Sequence, residues 1–413
     1  MIHAVRPPAA APPWWSHAWV PVLAGGLVMG LALGVRHVQG LFLLPVTMDR
    51  GWARDAFAFA MAVQNLVWGV AQPFTGMIAD RFGSARVVAA GIVLYAVGLW
   101  SMTHAHASAA FVWSAGVCVG LALSGTTFGV VYGALSRLVV PLRRSQALGL
   151  AGALGGLGQF VMVPAAQGLI GGWGWAVALV VLSIAMAVVV PLALPLDDRA
   201  RIAAPGPAEQ PLREALREAF AHPGFRLLNL GFVACGFQLA FIATHLPAYL
   251  VDEGMGPREG MAALAIIALA NIAGTYLFGA LGGRRSKKRL LAGIYLARSA
   301  AMALFVLLPL GAAGLYLFAA VMGLLWLGTV PLTSGLVSQV FGVRYVTTLF
   351  GFVFLGHQVG SFLGVWLGGL VFEATGSYDA IWIGAMILGV AAAALHWPID
   401  DREIVRAPAQ GVA

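Results

Sequence analysis

Apolar residues in this chain run in long uninterrupted blocks, and the blocks are about as long as a bilayer is thick. A spanning helix needs about 20 predominantly apolar residues. Twelve such segments can be drawn: Ala18–Pro45, Asp55–Ala79, Val87–Thr103, Ala109–Leu138, Gln146–Ile170, Trp173–Leu194, Phe225–Leu250, Gly260–Leu281, Leu290–Leu310, Gly314–Val340, Tyr345–Val371 and Asp379–Trp397. No segment alternates apolar and polar positions over any length, which argues against a membrane barrel. The pattern predicts an all-α membrane protein with twelve transmembrane helices. One stretch breaks the apolar run, Asp197 to Gly224, with Pro205, Pro207, Pro211 and Pro223 and an amphipathic segment from Leu212 to Phe220. It reads as a linker carrying a surface-lying helix between two six-helix halves. The expected organisation is residues 1–196, a linker 197–224, and residues 225–413.

A short polar motif recurs between the second and third segments of each half. The first copy is Gly76-Met-Ile-Ala-Asp80-Arg81-Phe-Gly83-Ser-Ala-Arg86; the second is Gly279-Ala-Leu-Gly-Gly283-Arg284-Arg285-Ser-Lys287-Lys288-Arg289. Gly76 matches Gly279, Arg81 matches Arg284 and Arg86 matches Arg289, a constant shift of 203 residues. Duplicated membrane halves enclosing a midplane site are how secondary transporters are built.

Composition agrees. The chain is 60% hydrophobic and 10% charged, with a mean hydropathy of +0.88, outside the range of a soluble domain. The net charge of +8 would point to nucleic acid in a soluble protein, but its distribution points to a bilayer instead. Among the Lys and Arg residues, Arg36 and Arg298 lie deep inside spans and Arg50, Arg54 and Arg258 in odd-numbered loops; the rest fall at the N-terminus, in even-numbered loops or in the C-terminal tail. That asymmetry places both termini in the cytoplasm. Met1–Ser16 carries no apolar run ending in a cleavage site, so the first span is read as the insertion signal. Cys118 and Cys235 both fall within spans, which supports neither a disulfide nor a metal reading and suits small packing residues. The absence of a Gly-x4-Gly-Lys-Ser/Thr loop argues against ATP-driven pumping, and no cofactor is expected.

The first motif resembles the loop 2–3 signature of the major facilitator superfamily, filled here by Gly76, Asp80, Arg81, Gly83 and Arg86, with Ala79 as the small residue. In that family the acid sits at a helix end and latches one conformation. The resemblance therefore implies a latch formed by Asp80 and Arg81 exchanging partners as the halves rock, dominated by the first half because Gly283 replaces the acid in the second copy. A finer resemblance, to bacterial relatives of the monocarboxylate and oxalate/formate porters, rests on Gly40-Leu-Phe-Leu-Leu-Pro45 with Gly51-Trp52-Ala-Arg54, and on Thr244-His245-Leu-Pro-Ala-Tyr249. It implies transport of small organic anions. The animal-type members carry an Asp/Arg pair in span 8, where this chain has Asn271 and Thr275. The proline-glycine antiporter motif of span 5 is not reproduced either.

Charge inside a bilayer costs roughly 2.5–3.5 kcal/mol per group on insertion scales and requires a reason. The acids lie at span ends or in loops, whereas Arg36 sits about 27 Å along the first span and Arg298 about 12 Å into span 9. An anionic substrate would supply the missing charge, and guanidinium forks suit carboxylates. The structural alternative for both is bonding to backbone carbonyls, to water or between helices. Gln238, His245 and Tyr249 fall within about 40° of one another on span 7, and His245 is the titratable group best placed for proton coupling, with His37 and His357 as rivals. Tyr132, Gln64, Asn65, Thr329 and Thr333 are further candidates to orient substrate. Glycines four apart, at 26, 30 and 34, at 125, 129 and 133, and at 356, 360, 364 and 368, permit close helix packing or provide smooth faces for rocking. No Ser/His/acid, metal-ligand or paired-carboxylate arrangement is visible, so the chain does not read as an enzyme. The reading is a secondary transporter of the inner membrane, expected to be a monomer, carrying a small organic anion with Arg36, Tyr132, His245, Tyr249 and Arg298 as candidate contacts. The alternative is an exporter of amphiphilic or xenobiotic molecules.

Overall fold

The structure, a computed structural model, describes residues 19–52, 54–203, 210–255, 257–308 and 311–404. The N-terminal stretch Met1–Ser16 and the middle of the proline-rich linker lie outside the described residues. Among the described residues, ten stretches are long and apolar enough to cross a membrane. One of them holds two helices: the run Pro141–Val188 turns at Gly174, where φ is 81°, a conformation that glycine alone takes without strain. A further long helix, Arg54–Phe82, is less apolar because it carries Gln64, Asn65 and Gln72. Twelve crossing helices follow among the described residues. They are α1 (Val20–Val38), α2 (Arg54–Phe82), α3 (Ser84–Thr103), α4 (Ser108–Leu138), α5 and α6 (residues 141–173 and 175–188), α7 (Pro223–Asp252), α8 (Pro257–Leu281), α9 (Lys287–Leu307), α10 (Ala312–Phe341), α11 (Val346–Thr375) and α12 (Asp379–His396). Between α6 and α7 an amphipathic helix, Leu212–Ala221, buries Ala215 and Ala219. Its Phe220 meets Phe225 and Phe352 edge to face, at 5.3 and 5.2 Å.

Lipid supplies no hydrophobic drive between helices, so close backbone approach and buried polar bonds hold the bundle. In the first half α1 lies on α5, and a Cβ on Gly30 would fall 2.7 Å from the Leu154 carbonyl oxygen. In the second half α7 lies on α11, and the small residues have moved to the partner: Gly356, Gly360 and Gly364 face Asn229, Val233 and Phe237. Those three stand 203 residues after Gly26, Gly30 and Gly34. The contact is the same with its glycines exchanged, and both rows join helices of one half, which is the packing reading of the glycine spacing. Between α2 and α4 the glue is polar: Gln64 donates to the Ala115 carbonyl at 2.7 Å and Gln72 to the Ser124 carbonyl at 3.0 Å.

The halves meet where α2 lies on α11 and α5 on α8. At the end carrying the repeated motifs this contact is nearly backbone on backbone. A Cβ on Gly76 would sit 2.7 Å from the Thr347 carbonyl oxygen, and one on Gly149 2.7 Å from the Gly279 Cα. Gly149→Val is therefore expected to insert and fold but to rest with α5 and α8 parted. Spin labels at Arg143→Cys and Arg284→Cys, in a background without native thiols, report this as a longer distance by pulsed electron resonance. An unchanged distance would mean that the glycine contact does not control closure.

Helix α10 is interrupted at Leu325–Gly328, between helical arms Ala312–Leu324 and Thr329–Phe341. An interruption at this depth frees backbone groups that must find partners inside the protein. Asn271 of α8 accepts from the Leu327 N–H at 3.0 Å, and Arg298 of α9 donates to the Leu325 carbonyl at 3.1 and 2.6 Å and to that of Trp326.

Candidate functional site

Two buried polar systems stand out against the apolar bundle. The first includes the two arginines singled out in the spans. Arg36 of α1 donates through Nη2 to the Asn65 side chain of α2, and its guanidinium lies 5.1 Å from the Trp68 ring. The Asn65 carbonyl accepts from Gln358 Nε2 of α11 at 3.2 Å, and Gln358 Oε1 lies 3.2 Å from His357 Nδ1. The His357 ring stacks on Phe354, and His357 packs on α7 against Phe232 and Gly236, next to Cys235. Cys235 in turn accepts from Arg298 Nη1 at 3.4 Å. Polar groups thus run from Arg36 through Asn65 and Gln358 to His357, next to the Cys235–Arg298 pair, and cross between the halves at the Asn65–Gln358 bond.

Both ends of this run are cations, and among the described residues neither makes an ion pair with a carboxylate. They differ in what they have left to give. Arg298 is fully buried, with its donors taken by two carbonyls and a sulfur. Arg36 keeps a buried Nε with no partner, and one turn on, Gln39 is 2% exposed with both amide atoms unpaired. Buried polar atoms in native proteins are almost always bonded to something. The region around Arg36 and Gln39 therefore has unused hydrogen-bonding capacity of the kind a polar ligand or water fills. Gln39 was missed in the sequence because it sits just past the end of α1, where an amide reads as an ordinary helix-end residue.

The remaining candidates do not converge on Arg36. The span 7 stripe turns toward α11 and α12: Gln238 donates to the Ala385 carbonyl at 2.9 Å and His245 Nε2 lies 3.0 Å from the Val365 carbonyl. Tyr249 packs among Phe305, Tyr378 and Trp382. Tyr132 on α4 is fully buried with an unpaired hydroxyl, facing Gly152 of α5. A cavity of about 390 Å³ lies between α9 and α10, lined by residues such as Ala301, Leu304, Phe305 and Phe318. Its aliphatic and aromatic walls offer nothing to meet a carboxylate.

The second system is ionic and lies at the end carrying the repeated motifs. Arg137, in the last turn of α4, bonds Asp80 at 2.7 Å and Asp198 at 2.7 Å, with all three side chains almost wholly buried. Asp198, just beyond α6, also accepts from the Ser84 N–H at 2.8 Å, capping α3. Asp80 reaches across to the other half, where its Oδ2 accepts from the Thr348 N–H at 2.7 Å and the Thr348 hydroxyl at 2.6 Å. Tyr345, which precedes α11, makes no side-chain cap. The acid from the first half thus caps a helix of the second, with the macrodipole of α11 favouring its charge. Arg137 and Arg344 add bonds across the same boundary, to Val343 and Thr347 and to the Asp80 carbonyl.

The motif glycines have separate reasons. Gly76 admits α11, and Gly83 takes φ 98° at the turn into α3. Arg81 and Arg86 are exposed, and the Arg81 guanidinium lies over Phe82. The cation that meets Asp80 is Arg137, which the sequence pattern does not single out. At the position equivalent to Asp80 in the second half, Gly283 leaves the start of α5 without an acid, and Ser145 there keeps a buried, unpaired hydroxyl.

A polytopic helical bundle whose parts repeat at a fixed interval, with a polar chain crossing its middle, defines a membrane transporter and not an enzyme. The chain belongs to the Major Facilitator Superfamily, whose family model matches residues 22–365. It is 28% identical over 406 residues to Monocarboxylate transporter 11 of Homo sapiens, covering 93% of this chain and 84% of that one. It is 25% identical over 357 residues to the uncharacterized MFS-type transporter YcxA of Bacillus subtilis, covering 83% and 85%. Among solved structures it resembles the fucose:proton symporter FucP of E. coli, with TM-score 0.67, 16% identity and coverage of 91% and 97%.

Proposed function

We propose that this transporter carries a small organic anion, a carboxylate by preference, by alternating access in the cell inner membrane. The observation that carries the reading is Arg36: a half-buried cation without a carboxylate partner among the described residues, with a buried, unspent Nε and the unpaired amide of Gln39 one turn away. An anion placed there restores charge balance and fills orphaned hydrogen-bonding positions together. The likeness to a monocarboxylate transporter over most of both chains supports the same substrate class.

On this reading residues 1–196 and 225–413 rock as two bodies about the linker 197–224, and the basic loops face the cytoplasm. The ionic cluster and the Gly149–Gly279 contact then close the cytoplasmic side, and this conformation opens outward. Latch residues are Asp80 with Gly76, Gly83 and Arg137, while Arg81 and Arg86 stand at the surface. Tyr132, His245, Tyr249 and Arg298 act at one remove from the anion, through the helices they join.

The test is thermal unfolding of the purified transporter across a panel of mono- and dicarboxylates, with amines and neutral amphiphiles alongside. A ligand at a hundredfold its Kd adds about 2.7 kcal/mol of stability, so a binding carboxylate is expected to raise the unfolding temperature. Stabilisation by amphiphilic cations or neutral compounds alone would overturn the anion reading in favour of an exporter of such molecules.

A further inference from the structure

The environment of Arg298 raises a question of charge. The side chain is fully buried in α9, and its bonds go to two main-chain carbonyls and the sulfur of Cys235. Carbonyl dipoles orient a guanidinium but do not neutralise it, and an unbalanced charge in a membrane interior is costly. Of the groups bonded to Arg298, Cys235 alone can become negative. Its sulfur is wholly buried, 3.4 Å from Arg298 Nη1 and 3.3 Å from the Thr329 hydroxyl. A neutral thiol is a weak acceptor for the Arg298 guanidinium, whereas a thiolate accepts from it strongly and can take a second bond from the Thr329 hydroxyl.

The repeat supplies an internal control. Ala32 and Tyr95 stand 203 residues before Cys235 and Arg298, and they also touch: the Tyr95 hydroxyl donates to the Ala32 carbonyl at 3.0 Å. The first half closes this joint with one neutral hydrogen bond. In the second half a cation and an ionisable sulfur occupy the two positions together, as a charge pair requires.

A proton acceptor lies beside the sulfur. His357 of α11 packs on α7 at Cys235: its ring lies 5.0 Å from that of Phe232, its carbonyl meets Gly236, the residue after Cys235, and its Nδ1 lies 3.2 Å from Gln358 Oε1. Because Gln358 Nε2 is committed to the Asn65 carbonyl, Oε1 is an acceptor, so Nδ1 carries the hydrogen and Nε2 is the exchanging nitrogen. The other titratable groups around the site are Tyr295, whose ring lies 5.5 Å from the Arg298 guanidinium, and His396 of α12, 5.1 Å from the Tyr295 ring. Tyr295 has an unpaired buried hydroxyl, and His396 Nδ1 lies 2.7 Å from the Ala392 carbonyl.

We propose that Cys235 is the counterion of Arg298 and, together with His357, forms an intramembrane proton site. In the exchange step the S–H bond of Cys235 breaks, an N–H bond forms at His357 Nε2, and the electron pair stays on sulfur beside the guanidinium. The proton leaves the imidazole for water, and the return step reverses each change. The proposal rests on the transport reading for its purpose, but its chemistry can be observed without a substrate.

Cys118 and Cys235 are the two cysteines of the chain, so Cys118→Ala leaves one thiol to follow. In nanodiscs, this protein is expected to show ultraviolet thiolate absorbance at neutral pH that disappears on acidification. Cys235→Ser, added as a second change, should abolish the signal, and Arg298→Gln should lower it at least fivefold. Cys235→Ser variants confirmed as monodisperse should also lose pH-gradient-driven accumulation of the carboxylate found by the stability panel while keeping counterflow. No thiolate at neutral pH, or a thiolate indifferent to Arg298→Gln, would overturn the proposal. So would loss of gradient-driven accumulation in His245→Gln with none in Cys235→Ser. A thiolate that responds to Arg298→Gln in a protein that binds no carboxylate would support the charge pair and count against the anion reading alone.

Discussion

Asp80→Asn is expected to leave an inserted, folded protein whose flux in liposomes falls at least tenfold. Asp80 joins three things at one point: the buried Arg137 guanidinium, the N-terminus of α11 and the Thr348 hydroxyl. Breaking a buried ion pair by removing one partner costs about 3–5 kcal/mol when the remaining charge is stranded. Arg137 retains Asp198, so the loss here should fall below that range. Asparagine keeps one accepting oxygen for the Thr348 donors, but its NH2 then faces the Arg137 guanidinium, so the charge and one acceptor are lost together. Asp80→Ala also removes the cap, worth about 1 kcal/mol, and should open this end further. The Arg137 pair lies within the first half, but the Thr348 bonds cross between the halves and the carboxylate charge favours the α11 N-terminus, so both variants weaken the closed conformation. The labels at positions 143 and 284 should therefore move apart in the order wild type, Asn, Ala. Unchanged distances together with unchanged flux would remove the latch role.

Arg36→Gln is expected to weaken binding of the best carboxylate at least tenfold, about 1.4 kcal/mol. The guanidinium divides its work: Nη2 holds Asn65, the plane faces Trp68, and the Nε edge has no partner. A planar fork can hold a neighbour and an anion at once; an ammonium has the charge without that geometry. Arg36→Lys should therefore recover only part of the affinity, and Gln39→Leu should weaken binding by a smaller factor. Equilibrium binding on folded variants is the measurement. Equal affinity for wild type, Gln and Lys would make Arg36 a structural cation, bonded to Asn65 to hold α1 against α2.

The helical character of the chain was legible because a bilayer imposes a one-dimensional rule. Each crossing needs a run of apolar residues, and runs can be read without knowing what they touch. The 203-residue repeat was legible for a similar reason, since charges are scarce in so apolar a chain and cluster at helix ends. Arg36 and Arg298 stood out because a charge deep in a span is conspicuous wherever it points.

Only the tertiary structure decided which of these groups meet. Arg298 and Arg36 look alike in sequence, yet one is saturated by the broken turn of α10 and the other is not. The partner of Asp80 is Arg137, 57 residues away, rather than the adjacent Arg81, because the ends of α2 and α4 converge while Arg81 points outward. His245 falls on the stripe that periodicity gives it, but periodicity cannot say that this stripe faces α11 and α12. The break in α10 is marked in the sequence by Gly328 and by Pro331, which has no N–H for the Leu327 carbonyl, but nothing there says what would hold it. It is held by Asn271 and Arg298 from neighbouring helices. Apolar periodicity records that a residue lies in a span; which neighbour it bonds depends on how helices far apart in the chain are placed beside one another.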